Sequence, residues 1–151
     1  GPIVGDILIG KNIGTFVYGT TENPITSKNL SEFYTVIKQK HPDSKIIAVD
    51  ACLGKISEIG SVKVVRGGIA PGKALNAEAD KFGDIGVLGV VGEIHDDPMT
   101  ELLTRSDIFV EEMAAKAADT VIKFYDEYRS ALNPKTKKTR AARSAVRKAA
   151  V

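Results

Sequence analysis

Two short apolar runs constrain this chain more than any other feature: Lys45-Ile46-Ile47-Ala48-Val49-Asp50 and Ile85-Gly86-Val87-Leu88-Gly89-Val90-Val91. Neither shows the polar alternation of a strand with one wet face, so each reads as a central parallel strand covered on both sides. Parallel neighbours need a crossover, and the sequence around the runs supplies helical patterns. Ile3, Val4, Ile7 and Leu8 follow Pro2 at helical spacing, predicting a helix over 2–9. Leu30, Phe33, Tyr34 and Ile37 share a face of a second helix over 30–40, opened by Asn29 and stopped by His41-Pro42. A short helical segment is expected around Met99–Leu103. A long helix follows, with Ser106 or Asp107 as N-cap and Phe109, Met113, Ala117, Val121, Phe124 and Tyr128 as its apolar stripe.

Two weaker strand signals complete the pattern. Phe16-Val17-Tyr18 lies between Gly14 and Gly19, and Val62 and Val64 alternate with polar neighbours between Ser61 and Arg66. Alternating strands and helices in this order predict an α/β, doubly wound three-layer sandwich with a mostly parallel central sheet. A chain of 151 residues, 43 % of them hydrophobic, is long enough for one such core.

The charge is unevenly spread. Seven of the 21 basic residues fall between Lys135 and Lys148 with no acidic residue among them, so all 19 acidic residues lie before Pro134. The expected division is a folded domain over 1–133 and a basic tail over 134–151 that is disordered or helical only on a partner. The tail has no aromatic residue to stack on bases, so nucleic-acid contact is expected to be non-specific at most. No run of eighteen apolar residues and no basic stretch before an apolar core suggest a soluble, cytoplasmic protein with no membrane partner. Cys52 is the one cysteine, which fits a reducing compartment.

Asp50 is the first candidate for chemistry. A carboxylate closing a buried strand is poorly solvated, which raises its pKa and suits it to acid/base work or metal binding. The alternative is a carboxylate that caps loop amides. Cys52 follows two residues later, and burial as a small apolar group competes with a nucleophilic role. His95 lies past the second run, on the same sheet edge as Asp50 if the strands are parallel, so the two are candidate ligands for a divalent metal, with no definite third ligand. Asp84 is suited to fixing a turn through its own side chain; Glu93, Asp96 and Asp97 are suited to binding a divalent cation, though such a cluster is more often a solvated, helix-capping loop. Gly67-Gly68 and Pro71-Gly72 match no phosphate-binding loop.

Several segments taken together resemble the YyaC-type sporulation proteins, a family related to the spore germination protease. They are Gly1-Pro2-Ile3-Val4-Gly5, Val17-Tyr18-Gly19-Thr20, Pro24 with Asn29-Leu30, Ile47 to Gly54, Ile59-Gly60, Pro71-Gly72 with Leu75-Asn76, and Gly83-Asp84-Ile85. The resemblance implies the three-layer fold of the germination protease and the hydrogenase maturation endopeptidases, cleavage of a protein or peptide substrate, and a setting in a spore-forming bacterium. It makes Asp50 the catalytic candidate and Cys52, Asn76 and Asp84 candidate substrate-binding positions. It implies no cofactor, and leaves self-association open.

In the germination protease two aspartates are associated with cleavage. One lies in an Ile-Asp-Ala strand end that matches Val49-Asp50-Ala51. The other lies in an Asp-x-Leu-Gly-Pro motif whose Gly-Pro matches Gly1-Pro2, so the first carboxylate would stand three residues ahead of Gly1. A shortened start, cleavage before Gly1 and a tag remnant all fit. Without that carboxylate, Asp50 alone does not hold both the acid and the base role. The first strand of the sheet is expected to be missing with it, leaving the strand at Lys45 with a bare edge.

Overall fold

The computed structural model describes residues 1–71, 80–94 and 106–132. Within them the chain runs α1 (Pro2–Gly10), α2 (Leu30–Lys40), β1 (Ile47–Gly54), a 3₁₀ turn (Ile56–Glu58), β2 (Val62–Arg66), β3 (Ile85–Glu93) and α3 (Asp107–Leu132). The architecture is α/β, built on a small mixed sheet with strand order β1-β3-β2. The expected short helix around Met99–Leu103 and the tail from Pro134 lie outside the described residues.

The two apolar runs pair as expected. β1 lies parallel to β3, from Ile47 opposite Ile85 to Gly54 opposite Glu93. The register slips between Cys52 and Leu53, so that Val91 becomes an extra residue on β3. β2 pairs with the other side of β3 in the antiparallel sense, Val62 opposite Gly89 and Arg66 opposite Ile85. One of the two ladders is therefore parallel. The direction of β2 follows from its exit: Gly67 and Gly68 both take positive φ, and the chain returns through a bridge between Ile69 and Phe82 instead of crossing over.

One face of the sheet carries the core. Val87 packs with Val4 and Leu8 of α1 and with Ala114, Ala117, Ala118 and Val121 of α3, and Ile47, Val49 and Val62 close the periphery. Four small or β-branched residues on α3 let the helix approach the sheet closely. The buried stripe is thus Met113, Ala114, Ala117, Ala118 and Val121, while Tyr128 stands 42 % exposed. Ser106 serves as N-cap, its Oγ accepting the Phe109 N–H at 3.3 Å. On the opposite sheet face Val90 is fully covered, and Ile69 packs over Gly86.

The expected strand at Phe16–Tyr18 is not one. The segment is irregular and lies against α1, where Asp6 accepts hydrogen bonds from the Thr21 N–H and hydroxyl. Phe16 stacks on the His41 ring at 4.2 Å between centroids, and the Tyr18 hydroxyl meets His41 Nε2 at 2.7 Å. Aromatic residues that favour strands by composition are used here to pin a loop to the end of α2, with His41 as the C-cap residue they pack on. Asn29 opens α2 as expected, but its Oδ1 accepts from Thr26 N–H at 2.7 Å and so orders the preceding turn.

Asp84 is a junction between strands. Its carboxylate accepts the Ile46 N–H at 2.9 Å and pairs with Lys45 at 3.2 Å, and these contacts hold the carboxyl below its ordinary range. Its backbone N–H donates to Ile46 O, and its own carbonyl accepts from Gly67 N–H. Asp84→Ala is expected to lose about 1–2 kcal/mol of unfolding free energy by leaving the Ile46 N–H unpaired, measurable by urea titration at pH 7.

Candidate functional site

Asp50 sits in the middle of β1, not at its end. The strand continues through Ala51-Cys52-Leu53 to Gly54, and Asp50 stands opposite Leu88 of β3. Strand alternation puts Asp50 and Cys52 on one face and Ile47, Val49 and Ala51 on the other. Ile47 and Val49 pack against the α1/α3 core, so Asp50 and Cys52 belong to the opposite face. Leu88 also faces Lys63 of β2. Asp50, Leu88 and Lys63 therefore form one row across all three strands.

Burial pushes the Asp50 carboxyl up, against a smaller downward pull from the Ala51 N–H, which Oδ1 accepts at 2.9 Å, and from the Gly1 amino group. α1 starts beside the same strand: a side chain on Gly1 would lie 3.5 Å from the Val49 carbonyl oxygen. Among the described residues the other side of β1 has no strand partner. The result is a half-buried carboxyl that is easier to keep protonated than a surface aspartate, on an open strand edge.

This desolvation has a sign that stability measurements can read. With its folded pKa raised above the unfolded value, Asp50 favours the fold at pH values below its unfolded pKa, and that contribution is lost as pH rises through the folded pKa. Asp50→Asn is therefore expected to gain in Tm relative to the parent protein as pH is raised from about 4 to 7. A difference that is flat with pH would show that the carboxyl is not desolvated.

Cys52 is brought to the same face. Burial pushes its thiol up, Lys63 pulls it down, and Asp50 and Glu58 push it further up. On balance these influences favour the neutral thiol of a half-buried Cys52 over its thiolate. Asp84 is not brought to Asp50: it stands one position before Ile85, while Asp50 is level with Leu88. Asn76 and His95 lie outside the described residues, as do Asp96 and Asp97, and with them the proposed Asp50/His95 metal pair. Among the described residues no group of three or more histidine, cysteine, aspartate or glutamate side chains is arranged to hold a metal ion.

Two residues that sequence reasoning passed over complete the face. Glu58 closes the 3₁₀ turn after β1, its Oε2 accepting the Lys55 N–H at 3.0 Å and its Oε1 meeting Lys63 Nζ at 2.8 Å. The Lys63 contact, then the Lys55 N–H, hold the Glu58 carboxyl below its ordinary range. A side chain on Gly54 would collide with Glu58 Oε2 and Val90 Cγ1, so glycine leaves the room that the Glu58 carboxylate occupies. The sequence signal for Lys63 was its polarity between Val62 and Val64, which puts it on the face away from the core.

The family of proteins of unknown function DUF1256 matches residues 1–120. The uncharacterized protein YyaC of Bacillus subtilis (strain 168) is 34% identical over 92 residues, which is 60% of this chain and 45% of that protein, so the chain spans less than half the relative's length. No solved structure matches. Among the described residues no helix is long and apolar enough to cross a membrane.

Proposed function

The chain belongs to the DUF1256 family, and from that premise we propose that it is the body of an aspartate-dependent, germination-protease-like peptidase of a spore-forming bacterium. Asp50 is one member of its carboxylate pair, and the substrate is a protein or peptide in the mother cell or forespore. The observation that carries this reading is the half-buried, desolvated Asp50 carboxyl on a strand with an open edge. A carboxyl whose burial favours its protonated form can donate to a leaving amine while an ionised partner activates water.

The resemblance to the germination protease supplies that partner from an Asp-x-Leu segment ahead of a Gly-Pro pair. Gly1 lies beside Val49, so a residue three positions before it would be at most about 11 Å away along the chain. The same segment would add a strand to the open edge of β1 and complete the three-layer fold. The test is turnover of a protein substrate by the natural full-length protein and its Asp50→Asn variant.

A second reading is favoured by the exposed apolar side chains Phe16, Ile56 and Ile94, at 72 %, 67 % and 70 % exposure. In it the peptidase fold is a non-catalytic binding module in sporulation. Retained function in cells carrying Asp50→Asn, with loss on deleting 134–151, would select this reading over the first.

A further inference from the structure

The row Asp50-Leu88-Lys63 contains a feature that the carboxylate pair does not use. Asp50 and Lys63 stand opposite the same β3 residue from its two sides, so both side chains rise from the same sheet face. Two strand spacings separate their backbones by about 10 Å. Leu88 forms an apolar floor between a carboxyl and an ammonium, and that gap is wide enough for one peptide group. Lys63 has an ion-pair partner at this face. Glu58 grips it at 2.8 Å, and Glu58 is itself fixed by the Lys55 N–H and by the space left at Gly54.

Resting on the peptidase reading above, we propose that Lys63 is the cation that stabilises the oxyanion of the bound peptide opposite Asp50, and that Glu58 is the positioning residue that holds it there. In this step water forms a bond to the carbonyl carbon as its proton passes to the ionised carboxylate of the pair. The C=O π electrons move onto oxygen, where the ammonium balances their charge. Collapse restores the C=O bond and breaks the C–N bond as the Asp50 proton passes to nitrogen, giving one carboxyl and one amine product. An ammonium held by a single carboxylate keeps N–H donors free for the oxyanion.

The protein carries its own reporter for this arrangement. Cys52 is the one cysteine of this sequence and is next but one to Asp50 on the same face, where its thiol is subject to Lys63, Asp50 and Glu58. The experiment measures iodoacetamide alkylation of Cys52 against pH by mass spectrometry, together with cleavage of fluorescein-labelled casein, in the natural full-length protein. Lys63→Met is expected to slow alkylation at pH 8 by about twofold or more, and Asp50→Asn and Glu58→Gln to speed it by a similar factor. Lys63→Met is also expected to lower kcat by about a hundredfold with KM little changed, and Lys63→Arg to recover part of it. Glu58→Gln should lose less than Lys63→Met, because the ammonium remains but is no longer held.

Alkylation rates unaffected by Lys63→Met and Asp50→Asn would overturn the inference, since the groups would not share a site. Turnover lost in Asp50→Asn but intact in Lys63→Met would overturn it while leaving the peptidase reading standing. Full turnover in Asp50→Asn, or no cleavage by the natural protein, would end the peptidase reading and this inference with it.

Discussion

Asp50→Asn in the natural full-length protein is expected to lower kcat by at least about a hundredfold, the usual scale for losing a positioned general acid or base. Asparagine has nearly the same shape and can still accept the Ala51 N–H, so the β1–β3 ladder is not disturbed. What it lacks is a proton acidic enough to give to an amine. The same exchange relieves a desolvated carboxyl, so activity and stability should move in opposite directions near neutral pH. A dead enzyme that melts at the same temperature or higher separates catalysis from folding. Turnover equal to that of the parent protein would remove Asp50 from the chemistry.

A large loss of stability is expected at Gly5→Ala. Gly5 is buried within α1, and a methyl group there would overlap the carbonyl oxygen of Gly19, a backbone atom that no rotamer change can move aside. Either α1 lifts from the sheet or the 14–21 loop lifts from α1. The expected cost is about 3 kcal/mol despite the better helix propensity of alanine, which corresponds to a fall in Tm of roughly 6–12 °C for a domain of this size. Gly10→Ala is the control, because a side chain there meets nothing within 4 Å. It should leave Tm unchanged or raise it through up to about 1 kcal/mol of propensity. Equal melting temperatures for the two variants would mean that the contact between α1 and the loop contributes little.

The parts of the fold that could be read in advance were those whose causes are local. The runs ending at Asp50 and Val91 are apolar on both faces, which only a central strand tolerates, and they pair in parallel. α1, α2 and α3 each carry a periodic face and a plausible start. The direction of β2 is a different matter, because Val62–Arg66 has the same pattern whichever way it joins β3. Phe16 and Tyr18 were misread because strand propensity was the only local signal, whereas the ring of His41, 23 residues beyond Tyr18, decides their conformation. At the site, Asp50 was legible as a carboxylate in an apolar run. Its position in mid-strand was not, since Ala51-Cys52-Leu53-Gly54 reads as a turn until β3 is seen to extend beside it. The polarity of Lys63 gave its face but not its neighbours: its place level with Asp50 depends on register across two ladders, and that of Glu58 on its ion pair with Lys63, which no spacing in the sequence encodes.

The packing of α1 on α3 also governs the order of assembly. These helices stand at opposite ends of the described chain, yet together they cover the buried face of β3, with Lys11 paired to Asp119 at 2.9 Å and Tyr125 donating to Gly14 O. Such contacts repay their loop-closure entropy only after more than a hundred residues have been gathered. During synthesis α1 leaves the ribosome first and has no partner until α3 follows. Until then Val4, Leu8 and Val87 lack the cover that α3 supplies, and apolar surface left open in this way is what makes a partly made chain prone to aggregate.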